Sequence, residues 1–160
     1  MRPVIGAFLA LVLIALPLAA IDSGHAEGSL VVDGVKYPLN FAYAIGRQKN
    51  QLTDRNEMTR IILTDKALPE GTKLTDLDNT LPGDLNGVIV CIDKQGRVGH
   101  VAVQHPTGNF DGGYFEGIAD YEYKPRKAEA GTVSGYVSSL RVKTNTMSFS
   151  YDANFIAAVR

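Results

Sequence analysis

The strongest constraint on the fold is the recurrence of a large apolar residue at every second position from 35 to 45. Because successive side chains of a strand point to opposite faces, a period of two predicts a β-strand with one buried face. The same alternation recurs at 115–123 and at 149–159. In the first stretch every odd position is apolar: Val35, Tyr37, Leu39, Phe41, Tyr43 and Ile45.

Shorter segments complete the set of strands. We predict further strands at residues 29–33, 59–65, 87–93, 97–104 and 132–140, with turn residues between them. About eight strands with this spacing predict an all-β protein, an antiparallel β-sandwich, with a small closed, lipocalin-like β-barrel as the alternative. Residues 68–84 contain two prolines and two glycines, so we expect at most one short helical turn there, near Thr75.

One hairpin is specified in detail by its turn residues. The sequence at 93–97, Asp-Lys-Gln-Gly-Arg, predicts a three-residue loop with Gly96 in the left-handed conformation. A register that keeps apolar side chains on common faces is favoured, because a slip by one residue moves every side chain to the other face. The predicted pairs are Asp93 with Arg97, Ile92 with Val98, Val90 with His100 and Ile89 with Val101.

The N-terminal segment has the composition of a secretory signal peptide. Arg2 precedes an uncharged apolar run from Val4 to Ala20, and small residues follow it. This run is shorter than the roughly 20 residues of a membrane span. We predict that residues 1–26 are removed after Ala26, with Ala20 as the alternative cleavage point. Residues 27–160 would then form a single antiparallel β domain, exported to the periplasm or outside the cell, without membrane insertion after signal cleavage.

Charge and cysteine content narrow the function classes. A formal net charge of −1 lacks the basic excess of a nucleic-acid-binding protein, so we expect no nucleic-acid partner. The single cysteine, Cys91, lies in the apolar run 88–92 and has no second cysteine with which to form a disulfide. We interpret it as a buried small hydrophobe, with pairing between chains as the alternative. A reactive thiol needs a base and an electropositive setting, which its neighbours in the sequence do not supply.

Four short motifs are spread over most of the chain beyond the N-terminal segment. They are LTDKALP at 63–69, FDGG at 110–113, GTVSGY at 131–136 and F-x-YDA-x-F at 149–155. Together they resemble a group of small, uncharacterised exported bacterial β proteins. The resemblance implies an exported β domain, and it brings no catalytic residue with it.

Three residues are candidates for a ligand-binding surface. His105 ends a predicted strand at a loop, Asp111 lies in a glycine-rich turn, and Glu116 belongs to a row of carboxylates along one strand face. His100 and His105 are five residues apart in an extended segment, so they should point to opposite faces. Two histidines also fall short of a zinc ligand set. We predict no catalytic residue, no metal site and no cofactor.

Three function classes follow from these observations. The first is a non-catalytic binding or interaction domain of the bacterial cell envelope, which contacts an unknown protein or small ligand through the loops at 47–60 and 104–113. The second is a hydrolase or metal-dependent enzyme that uses His105 with a nearby carboxylate. The third is a subunit that assembles by β-strand addition, with the strongly alternating last strand as donor or acceptor.

Overall fold

The computed structural model describes residues 24–46, 58–77, 79–112 and 121–160. The chain forms β-strands wherever the alternation predicts them within these ranges, and a turn of 3-10 helix at Leu74–Asp76. No helix in the described ranges is long and apolar enough to cross a membrane. The strands are β1 (His25–Val32), β2 (Val35–Ile45), β3 (Thr59–Thr64), β4 (Gly87–Ile92), β5 (Val98–His105), β6 (Gly108–Gly112), β7 (Tyr121–Pro125), β8 (Thr132–Ser139), β9 (Val142–Lys143) and β10 (Ser148–Ala158).

All of these strands belong to one antiparallel sheet. Its order is β6-β5-β4-β3-β2-β1-β10-β8-β7, and β9 pairs with β10 beside the end of β8. The sheet curls into a half-barrel, and β5 and β7, near its two ends, touch. The predicted fold class, all-β and antiparallel, is confirmed.

The inner face of the curl is packed with apolar side chains. Two ring contacts identify this face, because they join strands that are not neighbours in the sheet: Phe110 of β6 with Phe149 of β10, and Tyr37 of β2 with His105 of β5. The inner core is filled by large buried side chains, including Leu30, Leu39, Phe149, Tyr151 and Phe155. It is the main source of stability, since each such side chain contributes about 1.5–3 kcal/mol on burial.

A second apolar cluster lies on the outer face of β2–β5. Here residues 66–77 and 79–86, which we call the covering segment, pack four leucines against Ile62 and Ile89. Polar side chains fasten it at both ends: Asp65 accepts the backbone N–H of Asn86 at 3.0 Å, and Tyr43 Oη accepts the N–H of Leu68 at 3.0 Å. The buried leucines of the segment are Leu74, Leu77, Leu81 and Leu85.

The β4–β5 hairpin confirms part of the predicted register and corrects the rest. Gly96 has the predicted positive φ of 80°, and Asp93 contacts Arg97 through an ion pair of 2.8 Å. Ile92 pairs with Val98 as predicted, but the register then shifts by one residue. The predictions for the residues beyond were therefore wrong: His100 lies opposite Cys91, and Val101 opposite Val90. The shift skips Gly99, which fits the extra residue of a β-bulge.

The two ends of the sheet differ from the sequence prediction. β6, at Gly108–Gly112, was expected to be only a turn. The strand predicted at 115–123 is described from Tyr121 onward, and residues 113–120 lie outside the described part. The last strand, β10, lies inside the sheet between β1 and β8, and it is paired on both sides over Asp152–Ile156.

Candidate functional site

His105 lies at the end of β5 with only 7% of its surface exposed. Its Nδ1 accepts the backbone N–H of Thr107 at 3.1 Å and lies 2.7 Å from the hydroxyl of the same residue. Because this ring nitrogen acts as an acceptor, the neutral ring carries its proton on Nε2. The lone pair that a general base would use is therefore engaged in shaping the β5–β6 turn.

The structure does not bring His105 and Asp111, two of the three predicted candidates, together. Asp111 pairs in register with Ala102, and His105 with Gly108, so the side chains of His105 and Asp111 lie on opposite faces of the sheet. Glu116 lies outside the described residues. The carboxylate of Asp111 instead lies 2.9 Å from Nε2 of His100. His100 and His105 face opposite ways, as predicted.

One carboxylate, that of Asp84, lines the same groove as His105. Both residues line a shallow groove of about 420 Å³ beside the β5–β6 turn. Asp84 is exposed and lies 3.2 Å from Nζ of Lys66, whose hydrogen bond holds the pKa of this carboxyl below its ordinary value. It is thus committed to a surface ion pair with Lys66.

A row of chemically active side chains crosses four strands on the outer face. Arg60 of β3 lies opposite Cys91 of β4, and Cys91 lies opposite His100 of β5. Asp111 of β6 completes the row through its contact with His100. Cys91 and His100 are almost fully buried, at 1% and 2% exposure. We call these four residues the thiol row.

The covering segment is bonded to the thiol row at two places. Nη1 of Arg60 donates to the carbonyl oxygen of Leu77 at 2.6 Å. Asn79 Nδ2 donates to the second carboxylate oxygen of Asp111 at 3.0 Å. The thiol row is therefore held in place by the covering segment as well as by the strands of the sheet. No group of three or more histidine, cysteine, aspartate or glutamate side chains within the described ranges is arranged to hold a metal ion.

A second candidate site lies where the ladder beside β10 is interrupted. β8 pairs with β10 from Asp152 onward, and β9 pairs with it only up to Phe149. Ser150 and Tyr151 therefore have no strand partner on that side. The hydroxyl oxygen of Ser139 accepts the backbone N–H of Tyr151 at 3.1 Å in place of a ladder bond.

This interruption opens a groove of about 580 Å³, which we call the β8–β10 groove. Glu122, Ser138 and Asp152 lie side by side across three strands along it. Leu140, which leaves the ladder at the gap, is 63% exposed. The lining of the groove contains two carboxylates and no lysine or arginine. Its residues are Tyr121, Glu122, Tyr136, Ser138, Ser139, Leu140, Ser150, Tyr151 and Asp152.

Tyr151 is the unusual member of this lining. Only 1% of its surface is exposed, and its hydroxyl has no hydrogen-bond partner among the residues that the structure describes. Its ring stacks on that of Tyr121, with centroids 6.4 Å apart. Burial, with a smaller effect from Tyr121, raises the pKa of Tyr151 well above its ordinary value. A buried hydroxyl without a partner costs about 1–3 kcal/mol, so such a group calls for an explanation.

Neither site was predicted from the sequence, although each left a signal. Gly99 next to the hairpin loop is the mark of a bulge, and a shift by one residue there brings His100 opposite Cys91. The run Ser138-Ser139-Leu140-Arg141 departs from strict alternation where β8 ends. Both signals become meaningful only when the partner strand is known.

Comparisons with known proteins do not indicate which class of protein this chain belongs to. No protein-family model, no curated protein and no solved structure matches this chain. The resemblance to small exported bacterial β proteins therefore stays a prediction. The fold and the groove together describe an antiparallel half-barrel domain with a polar, tyrosine-containing surface site.

Proposed function

We propose that the chain is an exported, non-catalytic interaction domain of the bacterial cell envelope. In this proposal the β8–β10 groove binds a positively charged segment of a partner protein. The observation that carries the proposal is the lining of this groove, in which Glu122 and Asp152 lie on either side of Ser138 on one face of the sheet and no lysine or arginine takes part.

The packing of the interior favours a surface site over an internal one. A small barrel binds a ligand inside only where side chains leave room. Here Phe149, Tyr151 and Phe155 from a single strand are buried in the inner core, together with side chains from nearly every other strand. The lipocalin-like mode of ligand binding is thus not supported.

The charges of the groove favour a cationic partner. Asp152 is exposed and accepts a hydrogen bond from Ser29 at 3.2 Å, which orients its carboxylate. Glu122 lies 2.8 Å from Nζ of Lys124, so part of its charge is already compensated. Asp152 is therefore the main attraction for an arginine or lysine of the partner. The ring of Tyr136, which lies on the same face as Asp152, adds a cation–π contact worth about 0.5–1 kcal/mol at an exposed site.

Binding of a peptide segment in this groove is better supported than addition of a strand at an edge of the sheet. The described edge strands, β6 and β7, are five residues each, and β7 carries Lys124 and Pro125. Short edges with lysine and proline are a common protection against strand addition. β10, the expected donor or acceptor, is paired on both sides over Asp152–Ile156. The exposed Leu140 beside the groove offers an apolar contact that a side chain of a partner segment would cover.

The structure of β1 bears on where the proposed signal peptide is cleaved. Ala26 is 5% exposed and pairs with Phe155, and His25 pairs with Ile156. Cleavage after Ala26 would remove both residues from β1. We therefore favour cleavage after Ala20, the alternative from the sequence, with the protein released into the periplasm or beyond.

The location of binding can be tested by nuclear magnetic resonance. The processed, ¹⁵N-labelled protein is titrated with a triarginine peptide at low ionic strength, and a triglutamate peptide serves as control. We expect triarginine to shift the amide signals of Ser138, Ser150 and Asp152 and their neighbours, while triglutamate shifts none. Shifts spread over acidic residues elsewhere, for example around Glu129, or no shifts at all, would refute the proposal.

A further inference from the structure

We propose that Cys91 is an activated thiol that reacts with small hydroperoxides, with His100 as its base and Asp111 as the residue that orients His100. This activity is separate from binding at the β8–β10 groove, since the two sites use different strands. It also reverses the interpretation of Cys91 as an inert core residue. The base and the cation that its sequence neighbours lack are supplied by the strands on either side.

The strand register brings the thiol and the imidazole together. Cys91 and His100 are direct partners across β4 and β5, so both side chains point to the outer face. Directly opposite residues of an antiparallel pair have Cβ atoms about 4.5–5.5 Å apart. A cysteine and a histidine at that spacing are within reach of a hydrogen bond. Such a pair is the usual way in which proteins activate a thiol.

The remaining members of the row give the histidine a defined orientation. Nε2 of His100 lies 2.9 Å from Oδ1 of Asp111, so the other ring nitrogen, Nδ1, is directed away from the carboxylate. Asn79 donates to Oδ2 of Asp111 at 3.0 Å and fixes the carboxylate in turn. Nucleophile, base and orienting carboxylate then follow the order found in thiol and hydroxyl nucleophile sites generally. Asp111 and Asn79 are positioning residues in this scheme.

The charges that face Cys91 favour the thiolate. Arg60 lies directly opposite it on β3, and His100 lies opposite it on β5. The carboxylate of Asp93, two residues along the chain from Cys91, accepts hydrogen bonds from the Arg97 side chain and from the backbone N–H of Gln95. A positive group beside the thiol stabilises its anion, which opposes the effect of burial in an apolar cluster.

The proposed reaction is a two-electron oxidation of the thiol. His100 takes the proton of Cys91, and the thiolate sulfur attacks one peroxide oxygen. The S–O bond forms as the O–O bond breaks, and the departing hydroxide (or alkoxide) receives the proton from the imidazolium. Sulfur is oxidised to a sulfenic acid, and the peroxide is reduced to water or an alcohol. The chain has one cysteine, so no second thiol within it converts the product to a disulfide.

The burial of Cys91 selects for small oxidants. With 1% of the residue exposed, a bulky disulfide or a peptide does not reach the sulfur in this conformation. A hydroperoxide is close in size to water, and the Asp111 end of the row is exposed, with 52% of that side chain accessible. This is why the proposal names hydroperoxides and not thiol-exchange partners.

The test compares rates of sulfenic acid formation in the processed protein at pH 7. Hydrogen peroxide is the probe, dimedone traps the product, and mass spectrometry quantifies it. The variants are His100→Gln and Asp111→Asn, and His105→Gln is the matched control because it is a buried histidine of the same strand on the opposite face. The urea-unfolded chain supplies the rate of an ordinary cysteine.

We expect the folded protein to react at least about tenfold faster than the unfolded chain. His100→Gln should lower the rate by about 10²-fold, the usual loss on removing a general base, while His105→Gln changes it less than twofold. Thiolate absorbance at 240 nm should appear at lower pH than in the unfolded chain, and Asp111→Asn should move that midpoint upward.

Two results would overturn the proposal. One is a folded protein that reacts more slowly than the unfolded chain and shows thiolate absorbance only at higher pH, as expected of an inert buried thiol. The other is a His100→Gln variant that reacts as fast as the original protein. The absorbance titration needs no variant, so it decides the matter even if a substitution prevents folding.

Discussion

Ser139 and Tyr151 are joined by a side-chain to backbone hydrogen bond where the sheet has none of its own. The Ser139 hydroxyl oxygen accepts the Tyr151 N–H at 3.1 Å, just beyond the point where β8 leaves the ladder of β10. The backbone of Tyr151 is satisfied in this way, but its own hydroxyl is not. One residue thus combines a well-anchored backbone with an unpaired polar group, beside a groove that opens to solvent.

Replacement of Tyr151 by phenylalanine should stabilise the free protein. The variant removes a buried hydroxyl without a partner and keeps the ring packed against Tyr121, so the free energy of unfolding should rise by about 1 kcal/mol. Urea denaturation at pH 7 measures the difference. A loss of stability would mean that the hydroxyl has a partner in solution.

Stability should fall at alkaline pH, and Tyr151 should account for part of the fall. Burial raises the pKa values of Tyr151, Tyr121 and Tyr123, so the folded state holds these protons more tightly than the unfolded state does. The stabilisation is fully present below about pH 10, the ordinary tyrosine value, and is lost as pH rises through the folded-state values.

Urea denaturation at pH 9, 10 and 11 measures this loss in the original protein and in Tyr151→Phe. Lys124, whose pKa is raised by its hydrogen bond to Glu122, also loses its proton in the alkaline range. The informative quantity is therefore the difference between the two proteins. We expect the variant to lose less stability between pH 9 and 11, and equal losses would contradict the account.

Gly28 should be the least replaceable residue of β1. A Cβ atom there would overlap the carbonyl oxygen of Asp152 and the Cα of Ala153, both backbone atoms of β10. We expect Gly28→Ala to cost about 3 kcal/mol, because neither strand can move without disturbing the sheet. Gly108→Ala is the control: its Cβ would meet the side chain of Thr146 at an ordinary 3.8 Å, and the change should stay within about 1 kcal/mol. Similar melting temperatures for the two variants would contradict the larger loss of stability predicted for Gly28→Ala.

The N-terminus of the mature chain is a test of the proposed export. If β1 needs His25 and Ala26, the mature chain recovered from the periplasmic fraction should begin at Ile21. Intact-mass spectrometry distinguishes this product from one that begins at Glu27. A mature chain that begins at Glu27 would show that β1 tolerates the loss of its first two residues. Retention of the uncleaved chain in the cytoplasm would contradict the proposed export.

The sequence predicts the strands well because burial on one face leaves a local pattern. β2 matches its predicted range, but its odd residues do not share one face as predicted, because Leu39 packs in the inner core and Ile45 in the outer cluster. β4, β5 and β8 match within one residue at each end. β6 was missed because Gly108, Gly112 and Asp111 are turn residues that here pair with β5. The thiol row depends on a bulge at Gly99, and the groove depends on where β8 stops pairing with β10. Both are relations between distant segments, which local alternation does not encode.

The most direct test of the proposed function is the effect of one carboxylate on binding. Calorimetric titration with triarginine at low ionic strength compares the original protein with Asp152→Asn and with Glu27→Gln, an exposed glutamate of the same face outside the groove. We predict that Asp152→Asn weakens binding by about fivefold, the value of one exposed ion pair, while Glu27→Gln leaves it unchanged. Equal affinity for the original protein and Asp152→Asn, or an equal loss in Glu27→Gln, would contradict the account.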